Sequence, residues 1–173
     1  MKNLNNLKKI RSFLFDYDGV MSNGKVLMLP NGEGLRISDV KDGYAIHYAI
    51  KVGYYVGVIS GGRGENMNRR LENLGVTDIF LGIANKIEVF ENYLIENNLK
   101  AEEVLYMGDD IPDYEVMKIA GIAACPADAS IEIKNISDYI SPFKGGNGCV
   151  RDVIEQVLKA QGNWMNNSAA FKW

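Results

Sequence analysis

The sequence is poor in the residues that would mark several protein classes. It has two cysteines, Cys125 and Cys149, and one histidine, His47, in 173 residues. Two scattered thiols cannot frame a disulfide-stapled fold or a zinc site, so a reduced, cytoplasmic setting is expected. No apolar run approaches the roughly 20 residues needed to cross a bilayer. The stretch before Asp16 carries Lys8, Lys9 and Arg11 but no signal core and no small-residue cleavage site. Basic charge is not in surplus either. Nineteen Lys and Arg face 22 Asp and Glu, a net charge of −3, which argues against a nucleic-acid partner held by counterion release. What remains is an ordinary globular balance, 47% hydrophobic and 24% charged. Length suggests one domain, residues 1–161, followed by a tail over 162–173. The tail contains Trp164, Phe171 and Trp173 without a clear period. It reads as flexible, or as a segment that docks on a neighbouring subunit.

Short β-rich runs alternate with helical stretches. Strands are expected at 10–15, 54–59, 78–81, 103–107, 122–124 and 138–140. Helices are expected at 42–52, 65–74, 85–97, 113–120, 129–135 and 149–160. Gly53 and Gly75 stop the first two helices. Such alternation predicts an α/β fold with a central parallel sheet covered on both faces. One segment breaks it. In 24–38, Pro30-Asn31-Gly32 is a turn between two short runs, so a β-hairpin is inserted after the first strand. Val26 to Leu29 are apolar on both faces, and a lone hairpin is marginal in water. A subunit interface is the expected cover.

Four acidic or polar elements sit where strands end. The first is Asp16-Tyr17-Asp18-Gly19. Side chains two apart share a face of an extended segment, so Asp16 and Asp18 point together and Tyr17 away. Two close carboxylates repel unless a cation or proton intervenes, and Mg²⁺ favours such oxygens. The second is Gly108-Asp109-Asp110-Ile111-Pro112-Asp113. Asp109 could complete a Mg²⁺ site with Asp16, and Asp110 and Asp113 could support it from behind. Asp110 or Asp113 could instead cap the helix that starts there, a role that for Asp113 is compatible with function. The third is Ser60-Gly61-Gly62, a hydroxyl and small residues before a helix N-terminus, suited to phosphate. The fourth is Lys86, which opens a helix and could offset negative charge. His47 has no evident partner and reads as structural.

This ordered set resembles the haloacid dehalogenase-like superfamily of phosphohydrolases over residues 10–160. The resemblance implies a Rossmann-like three-layer sandwich. It implies Asp16 as nucleophile, Asp18 as general acid/base, and Ser60 and Lys86 as phosphate and charge-stabilising groups. It also implies Mg²⁺ held by Asp16, Asp109 and the backbone carbonyl of Asp18. Asp18 can take a proton, which favours turnover over storage of an aspartyl phosphate. About 40 residues separate Asp18 from Ser60 and about 20 separate Lys86 from Asp109, too few for a sizeable cap domain. The sequence is therefore similar to a capless, tetrameric branch of the superfamily that acts on sugar-acid phosphates. Supporting matches are 16–20, 41–46, 108–113, 125–128 and Gly145-Gly-Asn-Gly-Cys-Val-Arg-Asp152. That branch implies a homotetramer through the 24–38 hairpin. It also implies a phosphorylated sugar-acid substrate, with Gly61 and Arg70 binding it and Arg70 taking the carboxylate. An eight-carbon acid is expected, with a nine-carbon acid as the alternative. A phospho-accepting receiver and a non-catalytic regulatory module are the readings from other classes. The Asp-x-Asp pair on the first strand argues against the receiver, and the complete residue set argues against the idle module.

Overall fold

The computed structural model describes residues 4–166 and 168–171. In chain order the elements are α1 (Leu4–Leu7), β1 (Ser12–Phe15), β2 (Leu27–Met28), β3 (Gly34–Leu35), α2 (Val40–Lys51), β4 (Tyr55–Ser60), α3 (Glu65–Asn73), β5 (Asp78–Leu81), α4 (Lys86–Glu96), β6 (Val104–Met107), α5 (Tyr114–Ile119), β7 (Ile122–Cys125), α6 (Ile131–Ile136), β8 (Tyr139–Ile140) and α7 (Cys149–Ala160).

Six strands form one sheet in the order β5-β4-β1-β6-β7-β8. Every pairing in it is parallel. The chain winds outward from β1 in one direction through β4 and β5. It then returns to lay β6, β7 and β8 on the other side. β1 thus sits at the point where the winding reverses, the usual crevice for ligands in such sheets. All four residues of β1 and all four of β6 are buried, as expected of strands covered on both faces.

Alternation sorts their side chains into two cores. Phe13, Phe15, Leu105 and Met107 face a layer that includes Leu7, Ala45, Leu71 and Ile154 from α1, α2, α3 and α7. Leu14, Val104 and Tyr106 face Phe90, Val116 and Ile133 from α4, α5 and α6. Each strand therefore holds both helical layers to the sheet, giving the three-layer sandwich. Between β1 and β4 lie only the hairpin and α2, and between Lys86 and β6 little more than α4. No cap domain is inserted at either point.

The hairpin is present but slight. β2 and β3 pair through Leu27↔Leu35 and Met28↔Gly34 alone. Its apolar side chains stay outside: Leu27 is 65% exposed, Met28 63% and Ile37 70%. Among the described residues, nothing buries them.

The segment read as a flexible tail is docked where it is described. Trp164 meets Tyr48 edge-to-face at 5.4 Å between ring centres. Arg151 lies over the Trp164 ring at 5.6 Å. The Tyr48 hydroxyl donates to the Asn163 carbonyl at 3.0 Å. Ala170 is buried, and its carbonyl accepts from the Tyr44 hydroxyl. Aromatic side chains with polar tips supply the anchoring that the missing periodicity concealed. Trp173 lies outside the described residues. Both cysteines are free and buried. Among the described residues, no helix is long and apolar enough to cross a membrane.

Candidate active site

The parallel register brings three strand ends together. Phe15 pairs with Val58 on one side and Met107 on the other, and the Asp16 N–H donates to the Met107 carbonyl at 2.9 Å. Asp16, Ser60 and Asp109 therefore leave the sheet at one edge. They line a cavity of about 450 Å³ together with Asp18, Lys86 and Asp113. Tyr17 is buried and turns to the other side, where it borders a separate cavity. The alternation expected from the Asp-x-Asp spacing holds.

After Asp16 the strand gives way to a sharp turn. Gly19 has φ +93°, a conformation that side-chain-bearing residues rarely adopt. It is also overlaid by a neighbour: a Cβ at this position would stand 2.0 Å from Asp109 Oδ2. The turn is braced from behind by the second glycine-rich segment. The Gly146 N–H donates to the Val20 carbonyl at 2.8 Å. A Cβ on Gly145 would stand 1.9 Å from the Gly19 carbonyl oxygen. That close approach explains the Gly-Gly in the 145–152 match.

Lys86 opens α4 and points inward, with its side chain only 5% exposed. Its Nζ lies 2.9 Å from Asp16 Oδ1 and 2.7 Å from Asp113 Oδ1. Asp113 is fully engaged. Its Oδ1 also accepts from the Tyr106 hydroxyl at 2.7 Å, and its Oδ2 accepts from the N–H groups of Asp109 and Asp110 at 3.0 and 3.4 Å. These bonds run back toward the strand, and the side chain makes no cap bond to α5. Asp113 still caps the short 111–113 turn that leads into α5, through the Asp110 N–H, and at the same time it orients Lys86 and the Asp109 loop. Ser60 is buried, and its hydroxyl accepts from the Gly62 N–H at 3.1 Å. Gly61 and the exposed Asp110 border the same cavity.

Known proteins resemble this chain in sequence and fold. Residues 43–127 match the haloacid dehalogenase-like hydrolases. The 3-deoxy-D-manno-octulosonate 8-phosphate phosphatase KdsC of Escherichia coli K12 is 36% identical over 155 residues, covering 90% of this chain and 82% of its own. The chain belongs to the haloacid dehalogenase-like hydrolase family. The solved phosphatase of the same name from Yersinia pestis superposes with a TM-score of 0.92 at 33% identity, over 94% of this chain and 88% of that one. The Moraxella catarrhalis phosphatase of that name, solved with magnesium, phosphate and KDO, gives a TM-score of 0.92 at 29% identity, over 98% and 97%.

The electrostatics of this family member's site are those of an anionic cluster. Asp16, Asp109 and Asp113 each place an oxygen within 4.8 Å of the others. Burial, then repulsion from Asp113, pushes Asp16 up to about 6 against the pull of Lys86. Burial, then repulsion from Asp16, Asp113 and Asp110, pushes Asp109 up to about 8. One ammonium does not offset two buried carboxylates and a half-buried third. Asp16 Oδ1 is also buried without an aligned hydrogen bond, its contact with Lys86 being an off-axis ion pair. A hard divalent cation fits this donor set: it suits carboxylate oxygens and removes the repulsion.

Two residues depart from expectation. Arg70 is not brought to the main cavity. It borders the smaller one of about 250 Å³ with Tyr17, Arg36 and Asn66. Its guanidinium lies against α2, where a Cβ on Gly43 would stand 2.5 Å from Nη2. Its place in the last turn of α3 sends it to the side that Tyr17 faces, away from Asp16 and Asp18. Within one chain, Arg70 does not border the cavity that Asp16 and Asp18 line. Arg36, conversely, was not singled out by the sequence. Its Nε lies 3.0 Å from Asp18 Oδ1 and its Nη2 3.0 Å from Asp18 Oδ2. A basic residue just past an exposed hairpin looks like a solvated charge, and only the three-dimensional return of the hairpin reveals the pair.

Proposed function

We propose that the protein is a Mg²⁺-dependent phosphomonoesterase that hydrolyses KDO 8-phosphate to KDO and phosphate. The observation that carries the reading is the convergence of Asp16, Asp18, Ser60, Lys86 and Asp109 on one cavity. The named activity of the KdsC relatives supports the substrate. That activity implies a cytoplasmic place in lipopolysaccharide sugar biosynthesis.

Asp16 is the nucleophile. Its carboxylate oxygen attacks phosphorus, the ester oxygen leaves, and an aspartyl phosphate forms. Asp18, two residues on and facing the same cavity, protonates the leaving alkoxide and then takes a proton from the water that hydrolyses the acyl phosphate. The Ser60 hydroxyl and the Gly61 backbone bind phosphoryl oxygens. Lys86, held by Asp113, screens the repulsion between the Asp16 carboxylate and the incoming dianion. Asp16, Asp109 and the Asp18 backbone carbonyl would hold Mg²⁺, with Asp110 and Asp113 behind them. Bound there, Mg²⁺ supplies charge neutralisation at the phosphoryl oxygens. The uncovered 24–38 hairpin is the assembly surface of a homotetramer.

The deciding experiment measures Mg²⁺-dependent phosphate release from KDO 8-phosphate, a nine-carbon sugar-acid 9-phosphate, hexose phosphates and an aryl phosphate, with Asp16→Asn as control. Preference for KDO 8-phosphate, lost in the variant, is the expected result. Preference for the nine-carbon acid keeps the chemistry and changes the substrate. No turnover of any of them would sink the catalytic reading in favour of a regulatory module.

A further inference from the structure

Arg36 makes contacts that a stray surface arginine does not. Its side chain is only 9% exposed, although it follows the exposed β3 directly. All three guanidinium nitrogens are used. Nε and Nη2 form a two-pronged grip on the Asp18 carboxylate, at 3.0 Å to each oxygen. Nη1 donates to the Gly34 carbonyl at 3.0 Å and to the Arg63 carbonyl at 3.4 Å. The planar fork thus fixes three things at once: Asp18, the hairpin, and the loop after β4. Lys, with a single ammonium on a flexible stem, cannot reproduce that fork.

Asp18 needs such a grip. It sits on the irregular turn beside Gly19, whose backbone offers little intrinsic stiffness. Apart from Arg36, its side chain has one other hydrogen bond among the described residues, from the Ser22 hydroxyl to Oδ1 at 3.2 Å. On the far side it is limited by Gly62, where a Cβ would stand 2.8 Å from Asp18 Oδ2. Arg36 does not border the main cavity, whereas Asp18 does. Arg36 therefore acts on the chemistry at second hand, chiefly through its two-pronged grip on Asp18 and secondarily through the loop after β4.

We propose that Arg36 is a positioning residue for the reaction, holding the Asp18 carboxylate at the angle from which it serves the leaving group and the water. The inference rests on the reading of Asp18 as the acid/base. It makes the hairpin part of the catalytic machinery, because the arm that exposes Leu27 and Met28 also carries the guanidinium that sets Asp18. An acid/base loses rate steeply with small misplacements, about 100-fold for a shift of about 1 Å.

The test uses the full chain with Mg²⁺ and KDO 8-phosphate. Arg36→Ala is expected to lower kcat about 10- to 100-fold with KM changed less than about 3-fold. Arg36→Lys should recover part of the loss, and millimolar guanidinium ion should recover part of it in Arg36→Ala but not in wild type. In an Asp18→Asn background, Arg36→Ala should cost far less in kcat than in wild type, since its chief route to the chemistry is gone. Unchanged kcat in a folded Arg36→Ala, or an equal loss in both backgrounds, overturns the proposal. Should Arg36→Ala unfold, the Arg36→Lys pair in the two backgrounds gives the same comparison. If Asp18→Asn itself turns over like wild type, the acid/base reading fails, a result separate from any failure of Arg36.

Discussion

The Asp109 carboxylate lies directly over Gly19, so close that a Cβ at residue 19 would stand 2.0 Å from Asp109 Oδ2. Position 19 therefore excludes a side chain twice, by its φ of +93° and by the acid packed on it. Gly19→Ala should push the Asp16–Asp18 turn and the Asp109 loop apart. We expect at least about a 100-fold fall in kcat and a loss of roughly 1–3 kcal/mol in unfolding free energy. Parallel urea titrations and turnover measurements check both. Wild-type values in both assays would mean that the turn yields without consequence.

Much of this was legible in the sequence, and the reason is local. Asp16, Ser60 and Asp109 each stand at or just past the end of a largely apolar strand, so a parallel sheet brings them to one edge. Lys86 was legible as the first residue of a helix. Its tie to Asp113 was not, because that contact spans two loops from different strands. Arg36 and Arg70 show the same limit from opposite sides. One enters the site's supporting shell by the folding back of a two-residue strand pair, and the other leaves it because α3 turns its last coil toward α2. The described part of the aromatic tail is held by single anchors such as Trp164 on Tyr48, which leave no periodic trace in the sequence.

Lys86 separates two buried carboxylates, at 2.9 and 2.7 Å. Lys86→Ala would leave Asp16, Asp109 and Asp113 crowded with no cation among the protein groups that face them. We expect a stability loss of about 3–5 kcal/mol without divalent metal, read as a lowered melting temperature, and near-complete loss of phosphatase turnover. Added Mg²⁺ should raise the melting temperature of wild type, and Asp109→Asn should abolish that rise. A Mg²⁺ shift that survives in Asp109→Asn would move the cation away from this cluster.

The exposed arm gives a prediction about assembly. Leu27 and Met28 are 65% and 63% exposed on a hairpin too small to stand alone in water. If a tetramer forms through this surface, Leu27→Ser with Met28→Ser should shift the mass found by light scattering toward the monomer, with the far-ultraviolet circular dichroism unchanged. An unchanged mass would place the subunit contacts elsewhere.

Asp42 ties stability to pH, away from the catalytic cavity. It is 2% exposed, and its two oxygens accept from the Gly148 and Arg151 N–H groups at 3.1 and 2.7 Å, anchoring the start of α7 to α2. Burial pushes it up to about 6, outweighing the pull of those two N–H groups. The folded state therefore keeps a proton that the unfolded chain releases near its ordinary value of 3.8. The contribution of Asp42 is fully present below about pH 4 and is lost as pH rises through about 6, by up to about 3 kcal/mol. Asp16 and Asp109 are raised as well, so the wild-type slope alone would not isolate Asp42. The difference between wild type and Asp42→Asn does. Asn can accept only one of the two N–H bonds, which costs stability at every pH, but it does not titrate. Denaturation midpoints from pH 4 to 7 should therefore show the gap between the two proteins narrowing as pH rises. A constant gap would show that the carboxylate is held charged by the start of α7 despite its burial.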